Sequence, residues 1–245
     1  MAENVFKFKR FSVSHAESSM KVGVDAVLLG SWISDICPKN LLEVGCGCGV
    51  ISLILAQRLK DCDIRAIDIH ARSVEESIRN FSQSEWQVRL MAERKCFPQE
   101  IITEGIKYDL IVSNPPYFLS GILQPLTPRE RARHQGTLSV FSLLENAGAI
   151  LNPGGRLAVI FPADQYQQVV DYSKLNGMKV LRECRVRNSD KRPFKRVMLE
   201  FGRESDINKG MACDKESISE NLTLFAEGEP TSEYIALCKD FYMKF

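Results

Sequence analysis

Four consecutive residues, Asn114-Pro115-Pro116-Tyr117, have the types and order needed to hold a planar amino group, and they directly follow the apolar run 108–112. An amine conjugated to a ring or a carbonyl is a weak nucleophile, and its two N–H donors need acceptors once water is excluded. The side-chain oxygen of Asn114 can accept one hydrogen and the carbonyl of Pro115 the other, which favours the pyramidal nitrogen of a transition state. Tyr117 can stack on the flat substrate. A Pro-Pro turn that only ends a strand is the alternative.

A glycine-rich turn earlier in the chain predicts a site for a nucleotide-like cofactor. The apolar run 41–44 leads into the sequence GCGCG at 45–49, and an apolar helical pattern follows. Glycines let the backbone approach a ligand closely and adopt positive φ. The spacing G-x-G-x-G and the position of Glu43, two residues before the first glycine, favour S-adenosylmethionine over NAD. Asp68 ends the next predicted strand, 64–67, where ribose hydroxyls need a bidentate acceptor.

Longer segments add to these motifs: FKRFSV at 8–13, MKVGVDAVLLGSW at 20–32, and a tail at 232–242 that contains SEY and FY. With them, nearly the whole chain resembles the Rossmann-fold S-adenosylmethionine methyltransferases of exocyclic amino groups, and within these the bacterial tRNA adenine-N6 methyltransferases that act next to the anticodon. The amino-terminal and tail segments are specific to that family. NPPY and the glycine turn are shared with DNA adenine, ribosomal guanine and protein glutamine methyltransferases, so they indicate the chemistry but not the substrate.

The resemblance implies a cofactor site and assigns a role to each matching residue. Its members are Lys21, Asp25, Glu43, Gly45, Gly47, Gly49, Asp68, Glu93 and Asn114. The glycines line the methionine part of S-adenosylmethionine, and Asp68 holds the ribose hydroxyls. Glu43 faces the cofactor's ammonium group, directly or through water. Lys21 and Asp25 belong to a segment that closes over the amino acid moiety, and Asn114 carries the catalysis together with the rest of NPPY.

One position departs from the family pattern. After the predicted third strand, 88–92, the family usually has an aspartate beside the cofactor adenine, whereas this chain has Glu93. The longer side chain can still accept a hydrogen bond from the adenine amino group. We therefore expect Glu93 at the adenine.

The resemblance also implies a substrate, adenine 37 of a valine tRNA, which is methylated at N6 after the base leaves its stack. Two other classes of function are open from the residues alone. One is an N-methyltransferase that acts on a protein glutamine or on an amino group of ribosomal RNA or DNA. The other is a non-catalytic cofactor-binding module that docks on RNA, against which the intact Asn114 and Asp68 argue.

Length and composition favour one α/β domain over 1–245, because 245 residues with 44% hydrophobic content can bury one large core. We expect a seven-stranded Rossmann-like methyltransferase sheet with its last strand antiparallel and helices on both faces. An amino-terminal segment, 1–36, and a carboxy-terminal extension, 204–245, flank it. The chain lacks an apolar run of membrane length and a signal peptide, so we expect it to be cytoplasmic. We also expect a monomer. Eight cysteines and three histidines without ligand spacing predict no metal site.

Periodicity predicts the remaining elements: helices over 73–81, 137–150 and 164–175, and strands over 156–161, 179–186 and 196–202. Beyond them, 206–220 is polar and predicts an exposed, mobile connection. An extra edge strand over 221–226 and a short helix over 233–241 complete the pattern.

The net charge of +1 leaves RNA binding to be judged from the charge distribution. Basic residues form three groups: Lys7, Lys9 and Arg10; Arg129, Arg131 and Arg133; and Arg182, Arg185, Arg187, Lys191, Arg192, Lys195 and Arg196. Ligands of open α/β sheets bind outside the carboxyl ends of the parallel strands, so we expect the second and third groups around one mouth, where they contact RNA phosphates. An ordinary solvated charge run is the alternative for the third group.

Overall fold

A computed structural model describes residues 4–18, 21–116, 138–210 and 217–245. The strands are β1 (Val5–Lys7), β2 (Ser12–Ser14), β3 (Asn40–Val44), β4 (Asp63–Asp68), β5 (Leu90–Arg94), β6 (Tyr108–Ser113), β7 (Leu151–Pro162), β8 (Met178–Ser189), β9 (Arg196–Arg203), β10 (Ile218–Ala226) and β11 (Glu229–Pro230). The helices are α1 (Val24–Trp32), α2 (Val50–Arg58), α3 (Ala71–Ser82), α4 (Gln99–Thr103), α5 (Val140–Ile150), α6 (Tyr166–Leu175), α7 (Glu204–Ile207) and α8 (Ser232–Cys238).

The central sheet contains the predicted seven strands, in the order β5-β4-β3-β6-β7-β9-β8, and two more beyond them. Only β9 is antiparallel among the seven, since it pairs in opposite sense with β7 and β8. β10 then pairs parallel with β8, and β11 forms a hairpin with β10, which gives this sheet nine strands among the described residues. The Rossmann-like class and the antiparallel last strand are confirmed. The two added strands come from the carboxy-terminal extension, where the alternating side chains of Leu222 and Leu224 are buried.

Helices cover both faces of the sheet. α1, α2, α3 and α8 pack on one face together with the β1–β2 hairpin, and α4, α5 and α6 pack on the other. The middle strand β6 contributes Leu110 and Val112 to the first face and Ile111 to the second. A strand buried on both faces has no polar alternation, which explains why the run before Asn114 is continuously apolar. No described helix is long and apolar enough to cross a membrane.

Several predicted boundaries are wrong: β7 begins at Leu151 rather than at 156, β10 begins at Ile218 rather than at 221, and α8 ends at Cys238 rather than at 241. The third strand begins at Leu90 rather than at 88, because Gln87–Arg89 forms a 3₁₀ turn. The polar stretch 206–220 is structured at both of its described ends, in α7 and in β10. Asp206 is buried there and accepts hydrogen bonds from the Gly154 backbone at 3.0 Å and from Arg203 at 2.8 Å. A segment of polar composition is therefore ordered at this end by a buried carboxylate whose hydrogen bonds are formed within the protein.

A buried carboxylate in β9 links the sheet to the segment after α1. Glu200 is fully buried, and its Oε1 accepts the backbone N–H of Ser34 at 2.6 Å. Its Oε2 accepts from the guanidinium of Arg156 in β7 at 2.8 Å. Because Ser34 closely follows α1, its hydrogen bond to Glu200 helps to hold the helix that carries Asp25.

Replacement of Glu200 by alanine is expected to lower the free energy of unfolding by about 3–5 kcal/mol, because Arg156 is then left as a largely buried, uncompensated charge. Urea denaturation followed by circular dichroism measures the change. The matched control, Glu229→Ala, removes an exposed carboxylate from β11 and is expected to change the free energy by less than about 0.5 kcal/mol. Similar small changes in both variants would contradict this role of Glu200.

Candidate functional site

A cavity of about 600 Å³ lies at the carboxyl ends of β3, β4 and β6, the edge expected for ligands in such a sheet. The structure brings these sequence-predicted residues together in its lining: Lys21, Asp25, Glu43, Gly45, Gly47, Asp68, Asn114 and Pro116. Gly49 caps the start of α2, and Pro115 is buried beside Asn114. Tyr117 and the basic residues of 129–133 lie outside the described residues.

The turn after β3 depends on glycine, because Gly45, Gly47 and Gly49 all have positive φ. Gly47 and Gly49 have φ of 55° and 77°, a backbone conformation that side chains rarely adopt. A Cβ on Gly49 would lie 2.5 Å from Cε1 of Phe81 in α3. A Cβ on Gly47, which lines the cavity, would lie 3.2 Å from Oγ of Ser18. The turn is thus pressed between α3 and the amino-terminal segment, with its backbone toward the cavity.

Asp68 ends β4 and is held in place by two backbone donors. Its Oδ2 accepts from the N–H of Gly47 and its Oδ1 from the N–H of His70, both at 2.9 Å. Each carboxylate oxygen can accept a further hydrogen bond. The side chain therefore offers a fixed pair of acceptors to a ligand with two adjacent hydroxyls.

Glu43 lines the cavity and is almost completely buried. Its Oε2 accepts hydrogen bonds from the backbone N–H and the hydroxyl of Ser52 in α2. Burial raises the pKa of Glu43 to about 8, and the two bonds from Ser52 oppose that rise. A cation placed beside the carboxyl would favour its ionised form and lower the pKa again.

Asn114 is brought to the cavity by the end of β6. The hydroxyl of Ser113 donates to the carbonyl of Val44 at 2.7 Å, which joins the last residues of β6 and β3. Asn114 is half-buried and Pro116 is exposed, and both line the cavity. The amide that can hold a planar amino group thus lies beside the glycine turn.

The amino-terminal segment reaches the same cavity through Lys21 and through Asp25 in the first turn of α1. Asp25 forms an ion pair with Arg196 at the start of β9, with an N–O distance of 2.7 Å. This contact joins the cavity wall to the basic turn between β8 and β9.

Glu93 does not reach the cavity, which corrects its predicted place at an adenine. β5 continues to Arg94, so Glu93 is inside the strand and pairs with Ile67. Its carboxylate accepts from Nε of Arg65 at 2.5 Å and lines a separate surface pocket with that arginine. The prediction failed because it ended the strand too early. The segment that follows the true end of β5 lines the cavity instead, with Lys95, Cys96 and Phe97.

Sequence reasoning also missed the supporting face of α3. Ser77 donates to the carbonyl of Gly47 and Asn80 to the carbonyl of Cys48, both at 2.8 Å. Glu76, Ser77 and Asn80 are all buried in α3. Polar residues at positions 73, 76, 77 and 80 share one helical face, and that spacing is the signal from which they could have been found.

An antiparallel strand between the last two parallel strands, together with this cavity, defines a Rossmann-like methyltransferase. Residues 17–192 match the methyltransferase small domain. A tRNA1(Val) (adenine(37)-N6)-methyltransferase from Parabacteroides distasonis is 37% identical over 245 residues, 100% of both chains. One from Vibrio vulnificus (strain YJ016) is 34% identical and covers 98% of this chain and 95% of its own. The chain belongs to the family that these two relatives represent.

A solved structure supports the fold independently. The predicted O-methyltransferase from Agrobacterium tumefaciens superposes with a TM-score of 0.64 at 14% identity, over 89% of this chain and 96% of its own. At that identity, the likeness concerns the fold alone.

Replacement of Gly49 by alanine is expected to lower the free energy of unfolding by about 2–4 kcal/mol, because it combines a strained φ with a collision against Phe81. Gly148 in α5 provides the matched control, since a Cβ there meets no atom within 4 Å. Gly148→Ala is expected to stabilise the protein by about 0.5–1 kcal/mol. Urea titrations of both variants test the difference, and equal midpoints would refute the stated role of Gly49.

Proposed function

We propose that this protein transfers the methyl group of S-adenosylmethionine to N6 of adenine 37 in a valine tRNA. The observation that carries the proposal is the position of Asn114, which lines one cavity together with Asp68 and the glycine turn. A methyl acceptor site and a nucleoside-type donor site are therefore adjacent. The names of the relatives support the choice of substrate.

The residues of the cavity fit S-adenosylmethionine. Asp68 retains acceptor capacity for two ribose hydroxyls, and Glu43 offers a carboxyl group to an ammonium group. Ile69 and Phe97 supply apolar lining for a flat base. The volume of about 600 Å³ lies in the range of small-molecule sites. When bound, the cofactor supplies a methyl group on a positively charged sulfur, from which it is readily transferred.

The contribution of the chain is to orient the adenine amino group. The Asn114 side-chain oxygen and the Pro115 carbonyl accept its two hydrogens, which directs the nitrogen lone pair toward the donor cavity. These acceptors favour the nitrogen as it becomes pyramidal and positive, so their effect is larger in the transition state than before it. The methylated nitrogen is acidic and loses its proton to water. No strong base is required.

The β8–β9 turn offers a surface for tRNA phosphates at the same edge of the sheet. Its Lys191, Arg192 and Lys195 are exposed and form no ion pair within the part of the chain that the structure describes. Pairing of Pro162 with Arg196 places the turn where β7 ends. Other basic residues between 182 and 196 form contacts within the protein instead.

Two arginines of the same group serve the fold. Arg182 pairs with Glu220 at 3.0 Å and stacks over Trp32 at 4.5 Å. Arg185 pairs with Glu183 at 2.7 Å. The amino-terminal group is also engaged, since Lys9 donates to the carbonyl of Phe245 at 2.8 Å. The turn is therefore the part of these groups that we assign to RNA.

Methyl transfer from labelled S-adenosylmethionine into valine tRNA transcripts tests the substrate. We expect N6-methyladenosine in a transcript with adenosine at position 37 and no incorporation when guanosine replaces it. Equal methyl incorporation into both transcripts would contradict the assignment of adenine 37 as the target base. Transfer to ribosomal RNA, DNA or a protein amide, with none to tRNA, would move the same chemistry to another substrate.

Cofactor binding is expected to release close to one proton at about pH 7. In the protein alone Glu43 is then mostly protonated, because its pKa is about 8, and a bound ammonium group lowers that pKa. Affinity should therefore rise with pH up to about 8. Calorimetry in buffers of different ionisation enthalpy measures the proton release, which Glu43→Gln should abolish. The same release in both proteins would show that Glu43 does not respond to the cofactor.

Removal of the turn charges should weaken tRNA binding without affecting the cofactor. For Lys191→Ala/Arg192→Ala/Lys195→Ala we expect a dissociation constant about tenfold higher and a salt dependence shallower by about 2 in log–log slope. The control combines Lys174→Ala, Lys179→Ala and Lys209→Ala, which are exposed at the opposite end of the sheet. If both triple variants bound tRNA alike in titrations at several salt concentrations, the turn would not be the phosphate surface.

A further inference from the structure

A buried carboxylate in α3 collects hydrogen bonds from the chain that precedes α1. Oε1 of Glu76 accepts from the hydroxyl of Ser14 at 2.9 Å, from the N–H of Ala16 at 2.7 Å and from the N–H of Glu17 at 3.1 Å. Its Oε2 accepts from the N–H of Ser18 at 2.8 Å. We call residues 14–18 the strap. Glu76 itself is completely buried.

The strap has no regular secondary structure after Ser14. Backbone N–H groups of such a segment need partners outside it. Those of Ala16, Glu17 and Ser18 all donate to the carboxylate of Glu76. Hydrogen bonds to an ionised acceptor are among the strong ones. Glu76 therefore determines the path of the strap.

The strap ends against the glycine turn. The hydroxyl of Ser18 lies where a Cβ on Gly47 would come within 3.2 Å of it, and the chain lines the cavity at Lys21. Asn80, one turn after Glu76, donates to the carbonyls of Ser14 and Cys48 at 2.9 and 2.8 Å. One face of α3 thus holds both the strap and the glycine turn.

We propose that Glu76 is a positioning residue of the donor site, which holds the strap against the glycine turn so that the following segment forms a wall of the cavity. Glu76 does not line the cavity, so it acts through the strap and not by contact with a ligand. Without this anchor the strap samples other conformations, and cofactor affinity falls by the fraction of molecules in the competent one. The inference rests on the proposed function only for the identity of the cofactor.

Glu76→Gln tests the proposal with little change in volume. If the amide oxygen takes the place of Oε1, the amide nitrogen faces the N–H of Ser18, and two donors oppose each other. We expect the dissociation constants of S-adenosylmethionine and S-adenosylhomocysteine to rise about tenfold, equivalent to about 1.4 kcal/mol. Hydrogen exchange should quicken at residues 16–18, with exchange in the central strands unchanged. Glu75→Gln, on the exposed side of the same helix, should match the wild type in every measurement.

A second variant distinguishes loss of the anchor from a general folding defect. Ser14→Ala removes one donor and keeps the carboxylate, so it should raise the same dissociation constants by less than Glu76→Gln does. Unchanged cofactor affinity in Glu76→Gln, with or without faster exchange in the strap, would overturn the proposal. So would a loss of affinity accompanied by faster exchange throughout the sheet, since that is the pattern of a general stabilising role.

These measurements need no tRNA, so their outcome is separate from that of the proposed function. Failure of the wild-type protein to bind S-adenosylmethionine would count against the function. Binding that is equal in the wild type and in Glu76→Gln would count against the strap alone.

Discussion

The parallel pairing of β3 with β6 is the constraint on which the site depends. Leu41, Leu42 and Glu43 pair in register with Leu110, Ile111 and Val112. Parallel strands in register end at the same edge, so the glycine turn and Asn114 emerge side by side although they are distant in sequence. A slip of one residue would turn the side chains of β6 to the opposite faces of the sheet. Because β6 is apolar on both faces, burial alone does not fix that register, and the bond from Ser113 to Val44 helps to hold it.

Charge is distributed to suit two different ligands. The cavity lining contains Asp68 and Glu43, whose carboxyl groups suit ribose hydroxyls and an ammonium group, together with Lys21 and Lys95. Basic side chains occupy the neighbouring β8–β9 turn, which favours a polyanion. The ion pair between Asp25 and Arg196 joins the two regions. A single edge of the sheet thus offers adjacent surfaces to the methyl donor and to the tRNA backbone.

Sequence reasoning located the parts of the site that depend on backbone order. A glycine turn after one strand and an acidic residue at the end of the next are predictable, because strand ends are marked by abrupt changes in hydropathy. Glu93 was predicted at the cavity because β5 was expected over 88–92, two residues before its actual position. Periodicity cannot distinguish the 3₁₀ turn before β5 from the first residues of a strand. Glu76 was missed for another reason. The polar spacing on α3 marks a buried face, but the partners of Glu76 are the Ser14 hydroxyl and three backbone N–H groups of a distant segment, which have no side-chain pattern of their own.

The central claim is that Asn114 orients the amino group that accepts the methyl group. The most direct test is the single-turnover rate of methyl transfer to valine tRNA by Asn114→Ala, at saturating concentrations of cofactor and tRNA. We predict a rate at least about 100-fold below that of the wild type, as found when one preorganised hydrogen-bonding group is removed from an active site. Saturation separates this effect from any loss of binding. A rate equal to that of the wild type would contradict the account.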